Sequence, residues 1–380
     1  MDTNTTVFIH STDIERYQYP DSSPFKTIRA GLTRKKLHTM GLLSGSGIRE
    51  VPPIRATPGE LEWFHTRRYL SALEAAAQGN LDPEGFAMGI GTADCPVFKD
   101  MLEYASWAAG ASLTGARMIR DGEAFIAFNP SGGYHHAHAD HAGGFCYIND
   151  IVLSAMLLAR TFKRILFLDL DVHHCDGVQT AFYDRRDVLT ISMHENGRTL
   201  FPGTGFEEEI GLGDGLGYSV NIPLPPSTYD DAYYRAFEQV VIPLLHAYDP
   251  EVLILELGMD TLSGDPLAHI SLTNNIYVPI IRQLMARNKP ILATGGGGYH
   301  VENTVRGWSL VWSVLSGNEI DEDVAAGMGG VMLANTDWLG GLRDRVLTPT
   351  DEQKKDVDPV LNATIAKVRQ TVFPYHGLHP

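Results

Sequence analysis

The sequence predicts a doubly wound α/β fold, one large parallel sheet with helices on both faces. Three observations carry that expectation. Short aliphatic or β-branched runs alternate with segments of helical pattern along most of the 380 residues, the signature of α/β organisation. The runs ILFLDLDV at 165–172 and VLILELG at 252–258 lack clean alternation, as strands buried on both faces do. Chemistry-bearing residues follow directly after several such runs, where ligands sit in open α/β sheets.

In chain order, strands are expected at 7–10 (VFIH), 124–129 (AFIAFN), 164–170 (RILFLDL), 188–194 (VLTISMH), 218–223 (YSVNIP), 251–257 (EVLILEL) and 290–294 (PILAT). Each is a short apolar run bounded by polar or Gly-rich residues. Helices are expected between them at 60–77, 99–119, 150–162, 230–246, 275–287 and 304–315, with a last one near 359–369. In 150–162, Ile151, Ala155, Leu158 and Phe162 recur at helical spacing. Trp63, Trp107, Trp308 and Trp312 read as core packing; Lys35, Lys36, Arg67 and Arg68 read as solvated helix faces.

Composition excludes several classes. With 46 Asp and Glu against 30 Lys and Arg, the net charge is −16, unlike the basic footprint of a nucleic-acid binder. No apolar run approaches the roughly 18 residues of a membrane span. The start, MDTNTT, has no basic or apolar signal-like region. Three cysteines, Cys95, Cys146 and Cys175, are too few and odd for a disulfide framework, so a cytoplasmic location is expected. Length alone favours two or three domains at roughly 150 residues each, yet no linker or repeat divides the chain. Many of the fifteen histidines cluster.

Four segments carry chemistry. In DLDVHHCDG at 169–177, alternate strand positions put Asp169 and Asp171 on one side, with His173 joining if the chain stays extended. Carboxylates and imidazole together suit a divalent ion such as zinc; the competing reading is a polar turn capping the next helix. SGGYHHAHADH at 131–141 offers imidazoles for acid–base work beside glycines that allow close backbone approach. Within it, His138 and His141 read as incidental surface histidines. GMDTLSGDP at 258–266 could add a carboxylate to a metal set, and GGGGYH at 295–300 presents the Tyr299 hydroxyl to a developing oxyanion. That glycine run lacks the Lys-Ser/Thr of a P-loop.

Taken together, GGYHHAHADHAGGFCYIND, DLDVHHCDGVQTAF, LTISMH with FPGTG, GMDTLSGDP, and GGGGYH with NTVRGW resemble the zinc-dependent histone deacetylase superfamily, over about residues 6–316. ADCPVF and FCYIND resemble class I enzymes and bacterial acetoin-utilisation deacetylases. The resemblance implies an arginase-like three-layer αβα fold with an eight-stranded parallel sheet, as a single catalytic domain over 1–380 with 317–380 packed on it. It implies zinc, with ferrous iron as the alternative, at Asp171, His173 and Asp260. His136 would be general base and then acid, partnered by Asp176; His135, backed by Asp169, would complete the dyad, and Tyr299 would be the electrophile. Structural potassium is implied at Asp169, Asp171, His173, Ser192 and Met193, and again at Phe182, Arg185, Val188 and Tyr218. Gly144, Phe145 and Phe201 would line an acyl-lysine channel with Leu267 at its rim. Asp94 would bind the substrate backbone, and Arg29 would stand by an acetate-release channel.

The implied activity is removal of acetyl or other acyl groups from lysine in proteins or peptides by metal-activated water. The competing readings are an acetylpolyamine amidohydrolase and an inactive acyl-lysine-binding protein. Leu267, where a glutamate would favour polyamines, points to peptidyl lysine, and none of the implied site residues is missing. No nucleic-acid or membrane partner is expected, and a homo-oligomer is compatible. Departures from the family pattern are Cys175, Ser23, Thr27, Leu200, His138, His141 and His300.

Overall fold

The computed structural model describes residues 5–319 and 341–380. Its centre is an eight-stranded, all-parallel sheet. The strands are β1 (Thr6–Ile9), β2 (Ile48–Val51), β3 (Ile126–Asn129), β4 (Ile165–Asp169), β5 (Val188–Glu195), β6 (Ser219–Leu224), β7 (Val252–Glu256) and β8 (Ile291–Thr294). They run in the order β2-β1-β3-β8-β7-β4-β5-β6.

Strand geometry explains the three layers. Successive side chains point to opposite faces, so Leu166 and Leu168 of β4 and Leu253 and Leu255 of β7 enter one core. Ile165, Phe167, Val252 and Ile254 enter the other. Helices Tyr277–Met285, Val301–Leu315 and Asp351–Val372 supply the first core; Arg67–Ala77, Met101–Arg120 and Asp150–Leu158 supply the second. Each such fully buried aliphatic side chain contributes about 1.5–3 kcal/mol. Trp308 and Trp312 are buried in the first core, whereas Trp63 and Trp107 only pack against the second from the side.

All seven expected strands are present, with shifted ends. The eighth, β2, is an edge strand of sequence IREV with half-exposed ends, too polar to stand out as an apolar run. The helix expected over 60–77 is two. Thr57 caps Pro58–Leu61 through a reciprocal bond with Glu60, and Thr66 caps Arg67–Ala77; two competing N-caps break the segment. The expected 230–246 helix continues to Tyr248 through a wide turn at Phe237–Val241 that precedes Pro243. The last helix starts at Asp351, capped by Thr350, and carries Pro359 inside it. Of the extension expected at 317–380, residues 320–340 lie outside the described residues.

The strands whose exits carry chemistry, β3, β8, β7 and β4, are neighbours in the sheet. Register aligns Asp169 with Glu256, and Glu256 with Thr294. The functional segments therefore leave the sheet side by side at one edge.

Candidate active site

Asp171, His173 and Asp260 meet just beyond β4 and β7. Their ligating atoms lie within 4.8 Å of one another. His173 Nδ1 is 3.1 Å from both Asp171 Oδ1 and Asp260 Oδ2, and all three residues are buried. Backbone donors fix the carboxylates: Gly297 N–H donates to Asp171 Oδ2, and Val172 N–H to Asp260 Oδ1. Burial, and then the neighbouring Asp171 charge, push Asp260 up to about 7. The cluster has one positive charge for two carboxylates: burial opposes charge on His173, but Asp171 and Asp260 raise its pKa to about 10. Its donor set fits a divalent metal ion.

Gly297 shows how closely the chain packs here. A Cβ at this position would fall on Asp260 Oδ2, so only glycine lets the loop after β8 pass over the cluster. Arg29, buried, closes the loop from behind by donating to the Gly298 and Gly296 carbonyls at 2.7 and 3.0 Å. A small cavity of about 10 Å³, lined by Arg29, Tyr104, Ser131, Gly132 and Tyr134 among others, lies beside it. The buried Ser131 hydroxyl has no hydrogen-bond partner among the described residues.

The paired histidines lie against this cluster. His136 is T-stacked on His173 at 5.8 Å between ring centroids. Its Nδ1 is 2.7 Å from Asp176 Oδ1, and its Nε2 is 3.0 Å from His135 Nε2. His135 Nδ1 is 3.0 Å from Asp169 Oδ2 and 3.2 Å from Glu256 Oε1. Burial and then the His135 charge bring His136 down to about 4, against the pull of Asp176. Burial also opposes charge on His135, but the Glu256 and Asp169 carboxylates overcome it and raise its pKa well above the ordinary value. At neutral pH the pair thus holds one charged and one neutral imidazole, the latter able to accept a proton.

Tyr299 stands across from them, its ring 6.4 Å from that of His173 and 5.6 Å from that of Phe145. Asp265 Oδ2 accepts the Tyr299 N–H at 2.7 Å. Burial holds the phenol well above its usual pKa, so it remains a donor. Phe201, 47% exposed, packs edge-on to His136 at 4.9 Å. Gly144 leaves room for the His136 ring, which a Cβ would strike. Asp94 Oδ2 accepts the Gly144 N–H at 2.9 Å and Oδ1 the Thr92 hydroxyl at 2.7 Å. Leu267 is half-buried near Asp265, which accepts its N–H.

Residues 23–315 match the histone deacetylase domain. The chain belongs to the histone deacetylase family. It is 37% identical over 321 residues to histone deacetylase 8 of Xenopus tropicalis, covering 84% of this chain and 86% of that one. It is 39% identical over 320 residues to the acetoin utilization protein AcuC of Bacillus subtilis, covering 82% of each. Among solved structures, a histone deacetylase homolog from Aquifex aeolicus superposes with a TM-score of 0.85 at 32% identity, covering 96% of this chain and 100% of that one. Family membership makes the chain an amide-hydrolysing enzyme.

Within this family member, the expected potassium residues fall into two groups. Asp169 pairs in register with Ser192, next to Met193, while Asp171 and His173 follow β4. Phe182, Arg185 and Val188 span the turn into β5, and the Tyr218 carbonyl accepts the Thr190 N–H at 3.0 Å. Cys175 is buried, with burial pushing its thiol up, as a space-filling residue would be. His300 proves to be a helix cap, accepting the Asn303 N–H. Among the described residues, no helix is long and apolar enough to cross a membrane.

Two site residues escaped the sequence. Glu256 ends the apolar run VLILE, and nothing local marks it as more than a strand residue. Its strand alignment with Asp169 was the signal. His138 looked incidental, yet its Nε2 lies 3.3 Å from Asp176 Oδ2.

Proposed function

We propose that the enzyme hydrolyses ε-N-acetyl-lysine, and related acyl-lysines, in peptides or proteins. The observation that carries this reading is the meeting of three groups in one pocket. The buried Asp171–His173–Asp260 cluster has the His136 ring of the histidine pair on it at 5.8 Å and the Tyr299 ring at 6.4 Å, both measured from His173. Asp171, His173 and Asp260 would hold Zn²⁺, or Fe²⁺ in its place. When bound, that ion supplies Lewis-acid polarisation of the scissile carbonyl.

The chain's own groups supply the remainder. His136 Nε2 exchanges the hydrogen bond it accepts from His135 for one from the attacking water, takes that water's proton, and later donates it from the same atom to the leaving lysine amine. Asp176 fixes the tautomer by accepting from Nδ1. Asp169 and Glu256 keep His135 charged, and His135 in turn keeps His136 neutral at rest. Tyr299 donates to the oxyanion that develops on the carbonyl. Gly144, Phe145 and Phe201 sheath the lysine stem, and Asp94 retains acceptor capacity for a substrate backbone N–H.

Potassium would be structural, held largely by backbone carbonyls at Asp169, Asp171, His173, Ser192 and Met193, and at Phe182, Arg185, Val188 and Tyr218. Arg29 and its small cavity would serve the departing acetate. We take the chain as one catalytic domain acting in the cytoplasm, in keeping with three buried free cysteines. Leucine rather than a carboxylate at 267 favours peptidyl lysine over polyamines.

The test compares acetyl-lysine peptides, longer-acyl peptides and N-acetylputrescine. Each is assayed with wild type, His136→Ala and chelator-treated enzyme. Peptide turnover by wild type alone supports the reading. Equal rates in all three preparations would overturn the metal-hydrolase mechanism, and turnover of the polyamine alone would overturn the peptide assignment.

A further inference from the structure

Asp176 is gripped from two sides. Its Oδ1 accepts from His136 Nδ1 at 2.7 Å and from the Gly177 N–H at 3.0 Å. Its Oδ2 faces His138 Nε2 at 3.3 Å. A carboxylate can only accept, so the His138 nitrogen facing it carries the proton. We infer that His138 is a positioning residue for the hydrolysis: its ring N–H holds the second oxygen of Asp176, fixing the carboxylate that orients His136.

The local chain is built to keep that ring in place. His138 N–H donates to the His141 carbonyl at 3.0 Å, closing a tight turn. The turn stacks the two imidazoles at 4.1 Å with only 14° between their planes. His141 in turn meets Asp140 Oδ1 through Nδ1 at 2.9 Å. Asn149 Nδ2 ties down the preceding loop by donating to the His135 and Ala137 carbonyls, and Ala139 O accepts the Thr66 N–H at 2.8 Å. The side chain of His138 is 16% exposed against 47% for His141, so a stacked, half-exposed ring screens the bond to Asp176 from water.

The chemistry gives the second grip a purpose. The carboxylate torsion of an aspartate is broad and roughly two-fold. With Oδ1 alone engaged, Asp176 could swing and tilt His136 with it. Small misplacements of a proton-transfer group cost rate far more than they cost binding. His138 touches no reacting atom in this arrangement, and its effect passes through Asp176.

The inference rests on the proposed deacylase reaction, and the experiment separates the two. His138→Ala should lower kcat about fivefold to twentyfold, leave KM within twofold, and retain bound metal and melting temperature. His138→Gln, which offers an amide N–H, and imidazole added to His138→Ala should each restore part of the loss. In an Asp176→Asn background, His138→Ala should change kcat little further. The His136 Nδ1–H resonance, followed by NMR in protein labelled with ¹⁵N-histidine, should shift or broaden in His138→Ala but not in the exposed His246→Ala control. Unchanged kcat in His138→Ala, or full additivity with Asp176→Asn, overturns the role. A wild type inactive on every amide defeats the proposed reaction instead, and the His136 resonance then decides the positioning by itself: unmoved, it overturns the inference.

Discussion

The Nε2 atoms of His135 and His136 face each other at 3.0 Å, so a single proton lies between them. Asp169 and Glu256 crowd the other nitrogen of His135, while Asp176 takes that of His136. The negative charge is therefore divided unequally: two carboxylates for His135, one for His136. That imbalance places the shared proton on His135 and leaves His136 as the acceptor.

The pH profile should reflect this. In the proposed mechanism His136 cannot act as base once protonated, so kcat/KM should fall as pH drops through its pKa, which burial and then the His135 charge bring to about 4. The acid limb should thus lie well below the ordinary imidazole value of about 6.5. His135→Phe removes the neighbouring charge, so the limb should move up by roughly one unit and kcat should fall about tenfold to a hundredfold. Rates measured between pH 4 and 9 check both; an unmoved limb in His135→Phe sinks the assignment.

Metal retention should depend on a glycine that ligates nothing. A Cβ at Gly297 would strike Asp260 Oδ2 and crowd Asp171 Oδ2, so Gly297→Ala should lose bound metal and activity together. Gly59, with open space around it, provides the control: Gly59→Ala should keep one equivalent of metal. Elemental analysis of the purified variants reads the outcome, and full metal content in Gly297→Ala would contradict the packing argument.

How far the site could be read from the sequence follows from how locally each part is encoded. Asp169, Asp171 and His173 alternate at the end of one apolar strand, so their shared side follows from strand period alone. Asp260 came only through the family motif, because an aspartate in a Gly-rich loop has no local mark of a ligand. Glu256 was invisible, since its partnership with Asp169 is made by alignment across β4 and β7, and register is a property of the assembled sheet. His138 failed differently: the turn stacking it on His141 was not foreseen. In the fold, β2 and the caps at Thr57 and Thr66 were missed where short polar signals competed with apolar period.

Substrate preference should respond to the channel rim. Leu267, half-buried, donates its N–H to Asp265, the carboxylate that also accepts the Tyr299 N–H, and we propose that it stands at that rim. Leu267→Glu places a carboxylate where a polyamine's second cation would pass. At a partly exposed site such an attraction is worth about 1 kcal/mol. N-acetylputrescine turnover relative to an acetyl-lysine peptide should then rise roughly fivefold, as about 1.4 kcal/mol corresponds to tenfold. Paired kcat/KM values at low salt decide it, and no change in the ratio would remove Leu267 from the specificity argument.

Stability in acid should turn partly on His65, which is tied through Asn149 to the loop carrying His135 and His136. Its Nε2 accepts the Asn149 N–H at 3.0 Å, and Asn149 carries the His135 and Ala137 carbonyls. Only the neutral ring can accept there, and burial brings His65 down to about 3. The folded pKa is depressed below the unfolded value of about 6.5. Its contribution is therefore complete above about 6.5 and is lost progressively as pH falls from there toward 3. Between pH 6.5 and 5.0 that amounts to about 2 kcal/mol, at roughly 1.36 kcal/mol per unit for one proton. His65→Phe should cost about 1–3 kcal/mol at pH 7.5, because the Asn149 N–H loses its acceptor. The same variant cannot be protonated, so its deficit against wild type should shrink by about 2 kcal/mol at pH 5.0. Urea midpoints at the two pH values supply the comparison, and an equal deficit at both would show that His65 is not held neutral in the fold.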